Sequence, residues 1–435
     1  PEALRPRLRE ARDVPAGKRS SEQNQLIRDY PRVVVSPGNV SLYDGKAHGE
    51  IMTAFGKKIA EAKVGRPPED FVQALTETPG HAPVTRLFDR GDVTQPRQAV
   101  EPGELEVLAG ATGSPEIPVD DPEVPTTGRR LAYARHLTSG RHPLVPRVLV
   151  NRVWMHHFGK GIVASPGDFG ALGEKPSHPE LLDWLADRFV KGGWTLKPIH
   201  RLVMTSAAYR QSSRRDPSAE EVDPDNRLLA RASVRRLEAE PLRDAVLFAS
   251  GRLNTAMFGP PVPVSPDESG QVIVGIDNRD SAGRPTARRG SLGDQEFRRS
   301  VYIQVRRTLP LALLESFDAP ATSPNCERRD VSTVAPQSLL MMNNVFLISE
   351  SEAFAARVEK EAGDDPSAQV KRAWRLALGI EPTPAQVESA TRFLASQRDD
   401  LAGSAALKDA GEAERLALSS FCQALLSSNA FLYVD

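Results

Sequence analysis

Signals for helix starts, each followed by apolar residues at helical spacing, constrain the fold of this chain more than any other feature. Ser177 and Glu180 form a predicted capping box, in which each side chain accepts a hydrogen bond from the other residue's backbone amide. Asp365 and Thr383 each precede a proline, which is typical of helix starts. The apolar face behind Glu180 consists of Leu181, Leu182, Trp184, Leu185 and Phe189. These signals predict a mainly α-helical fold with minor β strands or hairpins and a helical C-terminal bundle.

Caps and the spacing of apolar residues also predict further helices and strands. A helix predicted over 146–158 ends at Gly159, because glycine readily adopts the left-handed conformation of a helix C-cap. Alternation of Val301, Ile303 and Val305 with polar residues predicts a strand over 300–307. Shorter strand-like runs are expected at 32–35 and 84–88. The remaining predicted helices cover 129–138, 197–206, 237–253, 337–358, 366–378, 384–397 and 411–429.

Proline and glycine divide the chain into three parts. Residues 1–95 form a mixed N-terminal segment with α and β signals. Residues 96–128 contain six prolines and four glycines, which predicts an extended linker lying over the rest of the protein. Residues 129–435 are expected to form one mainly helical domain, interrupted by an irregular loop at 259–297.

Composition excludes several classes of protein. The chain has 435 residues, with 56 Lys+Arg against 57 Asp+Glu, so its positive and negative charges nearly cancel. This near-neutral charge gives no electrostatic reason to bind nucleic acid or an anionic membrane. No apolar run approaches the roughly 20 residues of a membrane-spanning helix, so an integral membrane protein is not expected. The chain begins at Pro1 without a methionine, which suggests a processed piece of a longer protein.

The two cysteines, Cys326 and Cys422, are too few for a disulfide scaffold or a cysteine-rich zinc module. No C-x-x-C-H motif is present, so a c-type haem cannot be attached covalently to this chain. Whether Cys326 and Cys422 form a bridge stays open, since spacing alone does not decide it.

Six of the eight histidines fall between His136 and His200. The candidate catalytic residues in this region are His156, His157, Asp168 and His178, and the weaker metal candidates are His156, His178 and Asp168. Adjacent histidines on a helix point about 100° apart and cannot face one ion, and no H-x-x-x-H pair occurs. The favoured alternative is that these rings fill seams between helices.

A second group of polar residues lies beside a predicted apolar helix and consists of Asp318, Cys326, Arg328, Arg329 and Gln337. Cys326 is a candidate reactive thiol if Arg328 or Arg329 lowers its pKa. The favoured alternative is structural, with an Asp–Arg pair and a glutamine amide fixing a long loop. The predicted structural polar network consists of Asn151, Arg152, Asp318, Cys326, Arg329 and Gln337.

Several motifs together resemble a known family. The most specific are the run N-R-V-W-M-H-H-F-G-K-G-I-V at 151–163 and the segment 168–185, which contains D-F-G and P-S-H-P-E-L-L-D-W-L. Segments 205–213, 298–302, 317–320, 326–329 and 335–339 fit the same pattern. From about residue 127 to 435, the chain resembles the planctomycete surface-type domain of unknown function 1553, which ends large cytochrome c-linked proteins.

The resemblance implies an extracytoplasmic protein, in the periplasm or at the cell surface, but no particular reaction. Relatives carry a c-type cytochrome domain that this chain lacks, so haem c is expected only on a partner or on a missing N-terminal domain. We therefore expect an accessory or interaction module of a cytochrome c-linked redox or carbohydrate-processing assembly. Expected partners are other protein chains, among them a c-type cytochrome, and carbohydrate. The alternatives are a structural component of a cell-surface assembly and a metal-dependent enzyme using the His136–His200 region.

Overall fold

The computed structural model describes residues 2–35, 40–64, 74–78, 81–113, 115–277, 291–320, 326–402 and 410–434. The chain divides into two compact units, Pro1–His81 and Ala82–Asp435. The described residues are mainly helical, and their strands form three small two-stranded sheets, which confirms the predicted fold class. No helix within these ranges is long and apolar enough to cross a membrane.

The first unit is helical. Ser20 caps its second helix, and Gln23 completes the capping box from the other side. The strand-like run expected at 32–35 instead includes a short 3₁₀ turn at Pro31–Val33. The helices of this unit are α1 (Arg5–Asp13), α2 (Ser21–Asp29) and α3 (Gly45–Val64).

The second unit begins with an antiparallel hairpin of β1 (Thr85–Phe88) and β2 (Pro96–Val100). A short helix, α4 (Glu106–Thr112), follows. The proline and glycine content predicts an extended stretch over 96–128. The structure differs at α4, which is helical, and β2 is extended but pairs with β1.

A first group of helices packs around an apolar core that includes Trp154, Leu185 and Phe189. Its longest helix ends at Gly159, which has a φ of 82° and caps it in the left-handed conformation. The capping box predicted at Ser177 is wrong. The Ser177 backbone amide and hydroxyl both bond Ile162 O instead, so the next helix starts at Pro179 with no side-chain cap. The helices around this core are α6 (Val145–Phe158), α7 (Pro179–Lys191) and α8 (Leu196–Met204). Along the chain, α5 (Arg129–Leu137) precedes them and α9 (Pro217–Val222) follows.

A second group of helices forms the larger core, with Phe354, Val370 and Leu426 almost completely buried. Asp365 caps α14, since its carboxylate accepts the amides of Ser367 and Ala368. The group comprises α10 (Ala239–Ser250), α11 (Ala312–Ser316), α12 (Ala335–Asn343), α13 (Val345–Ala362), α14 (Pro366–Leu378), α15 (Pro384–Ala402), α16 (Ala410–Leu426) and α17 (Asn429–Leu432).

Two sequence predictions fail in this group. The helix expected over 337–358 is split at Asn344, whose side chain accepts the Phe346 amide and caps α13. The strand expected over 300–307 is a 3₁₀ turn at Ser300–Tyr302, because the Ser300 amide bonds the Asp244 carboxylate at 2.7 Å. The remaining strands form two small antiparallel pairs, β3 (Arg235–Arg236) with β6 (Tyr433–Val434) and β4 (Val264–Pro266) with β5 (Val272–Val274).

Candidate ligand-binding cleft

A cleft opens where the C-terminal end of α6 approaches the β3–β6 pair. Gly159 makes this approach possible, since a Cβ atom there would lie 2.5 Å from Cδ of Arg235. The Arg235 guanidinium also donates to the carbonyl oxygen of His156 at 3.0 Å. The segment 326–331 closes the other side, and the resulting lobe has a volume of about 660 Å³. We call it the basic lobe.

Six cationic side chains line the basic lobe, and two of them are held by carboxylates. Arg329 bonds both carboxylate oxygens of Glu240, at 2.5 and 3.1 Å, and lies 3.0 Å from Glu238. The six are Arg152, Lys160, Arg235, Arg236, Arg328 and Arg329. The charge of Arg329 is therefore neutralised within the protein.

Arg236 is neutralised in the same way. It donates to the Asp318 carboxylate at 2.7 Å and to the carbonyl oxygens of Phe317 and Ser332. Ser332 also donates to Asp318, through its amide at 2.8 Å and its hydroxyl at 2.9 Å. Burial raises the pKa of Asp318, but the bonds from Ser332 and Arg236 outweigh it and hold that pKa below its ordinary value.

The other four cations have no such partner. Among the described residues, no carboxylate lies within 4.0 Å of Arg152, Lys160, Arg235 or Arg328, whereas other arginines of the cleft are paired. Arg152, Lys160 and Arg328 are also exposed to solvent. The lining also includes Glu238 and Glu327, but the six cations outnumber them, so the basic lobe presents net positive charge to whatever enters it.

A second lobe of about 990 Å³ shares Pro320 and the segment 326–329 with the first. Its lining includes the carboxylates of Glu315, Asp318, Glu327 and Asp330 against the cations of Arg328 and Arg329, so this lobe is more acidic than the basic lobe. Glu327 lies between the lobes and packs directly on Gly167, where a Cβ atom would overlap its carboxylate. The whole cleft is thus long and electrostatically polarised.

The predicted structural network is divided between the wall of the cleft and the cores behind it. Asn151 is fully buried, and its amide bonds both the amide and the carbonyl oxygen of Val163, at 2.9 and 3.0 Å. Gln337 donates to Ser316 O at 3.0 Å and to the Ser332 hydroxyl at 3.2 Å. Asp318 and Arg329 lie in the cleft wall, and Arg152 and Cys326 face the basic lobe.

The structure does not gather the candidate catalytic and metal residues into one site. His156 is exposed and lines the basic lobe, whereas His157 pairs with His200 at 2.7 Å between their ring nitrogens. Burial, followed by the nearby charges of His200, Arg235 and His156, lowers the pKa of His157. Asp168 caps the Gly170 amide within its own turn, and His178 bonds the Ser177 hydroxyl at 2.9 Å.

The two cysteines are both free. Cys326 is exposed in the cleft, where its thiol donates to Arg328 O at 3.2 Å, and Cys422 is buried in the larger core. The bridge left open by the sequence is therefore not formed in this structure.

Sequence reasoning missed part of this site. The arginine–glutamate run at 235–240 supplies Arg235, Arg236, Glu238 and Glu240, but it lies about 90 residues before Arg329. Two arginines followed by two glutamates resemble an ordinary solvated surface, so no local signal distinguishes this run.

The molecule is thus a mainly helical protein in which two helix groups border a polarised cleft. The chain belongs to the PSD1 family, a protein of unknown function (DUF1553), whose model matches residues 129–394, more than half of the chain. No curated protein and no solved structure matches it. The matched range contains α6, the arginine–glutamate run and the segment 326–331, so most of the cleft belongs to the family domain.

Proposed function

We propose that this chain is an accessory binding module of an extracytoplasmic assembly and that its cleft holds an acidic carbohydrate. The ligand is a sugar polymer that carries carboxylate or sulfate groups. The observation that carries the proposal is the set of four cations in the basic lobe without a carboxylate partner: Arg152, Lys160, Arg235 and Arg328.

Arginine suits such a ligand. Its planar guanidinium donates two parallel hydrogen bonds to a carboxylate or sulfate, and it stays charged at all working pH values. Because Arg236 and Arg329 are already paired inside the protein, they hold the wall in place and do not compete for the ligand. The four remaining cations have no carboxylate partner among the described residues, although Arg235 donates to the His156 carbonyl oxygen.

The size and the lining of the cleft also support a sugar polymer. Two connected lobes of about 660 and 990 Å³ accommodate several sugar units. Tyr433 lines the basic lobe, and its aromatic ring provides a flat apolar surface for a sugar ring. The second lobe offers the carboxylates of Glu315 and Asp330 as acceptors for the hydroxyl groups of the same ligand.

The wider assembly follows from the family resemblance. A c-type cytochrome chain or domain supplies the haem in this proposal, and the present chain contributes ligand binding outside the cytoplasm. A metal-dependent enzyme in the His136–His200 region is less favoured, since Asp168 is engaged in its own turn and His157 in a ring pair.

Calorimetric titration with matched ligands tests the proposal. Short polygalacturonate oligomers are compared with their methyl-esterified, uncharged counterparts, and dextran sulfate oligomers with plain dextran. We expect binding of one or both charged ligands only, with an affinity that falls as salt is added. Equal binding of charged and uncharged sugars, or binding of neither charged sugar, contradicts the proposal.

Variants locate the site. Arg152→Ala and Arg328→Ala each remove charge-assisted hydrogen bonds, so each is expected to weaken binding by about ten-fold or more. Arg392→Ala is the matched control, because this exposed arginine lies on α15 away from the cleft lining. Loss of affinity in the control, or none in the cleft variants, places the ligand elsewhere.

A further inference from the structure

The helix α3 of the first unit exposes a continuous row of apolar side chains. No residue of α3 is buried. Four of its large apolar side chains are each more than half exposed, at 53–59%: Ile51, Met52, Phe55 and Ile59. Since each residue of an α-helix turns the chain by about 100°, these four lie within an arc of about 100°. We call this arc the apolar face of α3.

Lysines border the apolar face on both sides. By the same geometry, Lys58 lies about 20° beyond Ile51 at one border, and Lys63 lies about 20° beyond Met52 at the other. Both lysines are exposed. The ammonium nitrogen of Lys58 lies 5.5 Å from the centre of the Phe55 ring. This side chain therefore lies against the apolar face and holds its charge at the edge.

The two glutamates of α3 point away from the apolar face. Glu50 and Glu61 each lie about 130° or more from its middle. The total charge of the chain conceals this arrangement, because it averages over a helix that has four lysines and only two glutamates. An apolar face bordered by lysines is complementary to the surface of an anionic bilayer, which offers acyl chains below negatively charged phosphates.

A second copy of the chain is less complementary to the apolar face. If two α3 helices packed face to face, Lys58 and Lys63 would lie opposite the same lysines of the other copy, and like charges there repel. The face is also short. From Ile51 to Ile59 it extends for about 12 Å, well short of the roughly three to four heptads that a coiled coil sustains. Phosphate headgroups pair with the lysines instead.

We propose that α3 lies in the surface of an anionic phospholipid bilayer and attaches the first unit to it. The apolar face enters the boundary between headgroups and acyl chains, to a depth of about 5–10 Å, and Lys58 and Lys63 reach the phosphates. The helix lies along the surface, and no described helix is long and apolar enough to cross the bilayer. This attachment is independent of the carbohydrate proposed for the cleft.

Co-sedimentation of the full chain with vesicles tests this proposal. One set of vesicles contains equal parts of phosphatidylglycerol and phosphatidylcholine, and the other contains phosphatidylcholine alone. We expect binding to the anionic vesicles that is about ten-fold or more tighter than to the neutral ones and that weakens as salt is added. Equal binding to both, or no binding to the anionic vesicles, overturns the proposal. A dimer that forms without lipid and that Phe55→Gln dissociates then assigns the face to a second copy.

A phenylalanine pair locates the contact. Phe55→Gln removes the largest side chain of the apolar face at an exposed position, so it is expected to keep the fold and to weaken vesicle binding by about ten-fold or more. Phe258→Gln is the matched control, since Phe258 is an exposed phenylalanine of the second unit. Unchanged binding by Phe55→Gln, or an equal loss in the control, overturns the assignment to α3.

A lysine pair tests the orientation of α3. Lys58→Gln is expected to weaken binding to the anionic vesicles by about five-fold, because this lysine lies at the border of the apolar face. Lys57→Gln is the matched control and should have a smaller effect, since Lys57 lies about 170° from the middle of that face. Far-ultraviolet circular dichroism establishes that each variant is folded. Equal effects of the two changes overturn the proposed orientation.

Discussion

The guanidinium of Arg236 lies 2.7 Å from the carboxylate of Asp318, and this contact ties β3 to the loop after α11. Only 3% of the Arg236 side chain is exposed, against 23% for Asp318. Asp318 also has a φ of 63°, a backbone conformation that non-glycine residues rarely adopt. The contact thus fixes the wall of the cleft at a strained point of the chain.

We expect Asp318→Asn to destabilise the protein strongly. The change leaves the Arg236 charge buried without a counter-ion, which costs about 3 kcal/mol. Urea unfolding measures the loss. The control is Asp399→Asn, whose ion pair with Arg398 is exposed and should contribute little. Similar effects of the two changes would contradict the importance assigned to the buried contact.

Asp318 should also make the stability of the protein depend on pH. The pKa of Asp318 is lower in the folded protein than its ordinary value, so its contribution to stability is fully present above that ordinary value, near 4. The contribution is lost as the pH falls through the folded-state pKa. The Tm difference between the parent protein and Asp318→Asn should therefore be constant above about pH 5 and shrink at lower pH. A Tm difference that grows as the pH falls would contradict the lowered pKa of Asp318.

Asn151→Ala is expected to cost about 3 kcal/mol, because it leaves the amide and the carbonyl of Val163 without partners in the core. His156→Ala, five positions further along α6, should change stability by less than about 0.5 kcal/mol, since its side chain is exposed. Chemical denaturation of both variants checks the contrast. Equal losses would mean that His156 is as much a part of the scaffold as Asn151.

Gly161→Ala should also destabilise the protein. A Cβ atom at this position would lie 2.4 Å from Val163 O and 2.7 Å from the Asn151 amide nitrogen, so the backbone must shift. We expect a loss of about 2 kcal/mol or more in thermal or urea unfolding. Gly103→Ala is the control, since nothing lies within 4 Å of a Cβ atom there. An unchanged Tm in Gly161→Ala would show that this turn relaxes freely.

The two thiols should differ in reactivity. Cys422 is fully buried, and burial raises the pKa of its thiol, so it is not attacked in the native protein. Cys326 is exposed and should be alkylated by iodoacetamide. Mass spectrometry after native labelling should find one modified cysteine, and labelling in denaturant should find two. Modification of Cys422 under native conditions would mean that the larger core opens readily.

The sequence predicted those elements whose causes are local. Asp365 caps α14 through amides two and three residues away, and Gly159 ends α6 within its own turn. The errors arose where a distant residue decides the outcome. Ser177 bonds Ile162 instead of capping α7, and Asp244 holds the Ser300 amide in a turn where alternation suggests a strand.

The candidate site was harder to predict for the same reason. Asp318, Cys326 and Arg329 stood out by their motifs, and all three lie at the cleft. Their partners Arg236, Glu238 and Glu240 did not stand out, because ordinary charged residues gain meaning only when folding brings them together.

The pairing of β3 with β6 has a consequence for biosynthesis. Arg236 is aligned with Tyr433, and the Leu237 amide bonds Leu432 O at 2.7 Å. A ribosome makes these two strands almost 200 residues apart, which corresponds to many seconds of elongation. During that interval α6 and the arginine–glutamate run are already outside the ribosome. The β6 strand, which contributes to one wall of the cleft, has not yet been made. The nascent chain therefore cannot complete this cleft until Tyr433 has been synthesised.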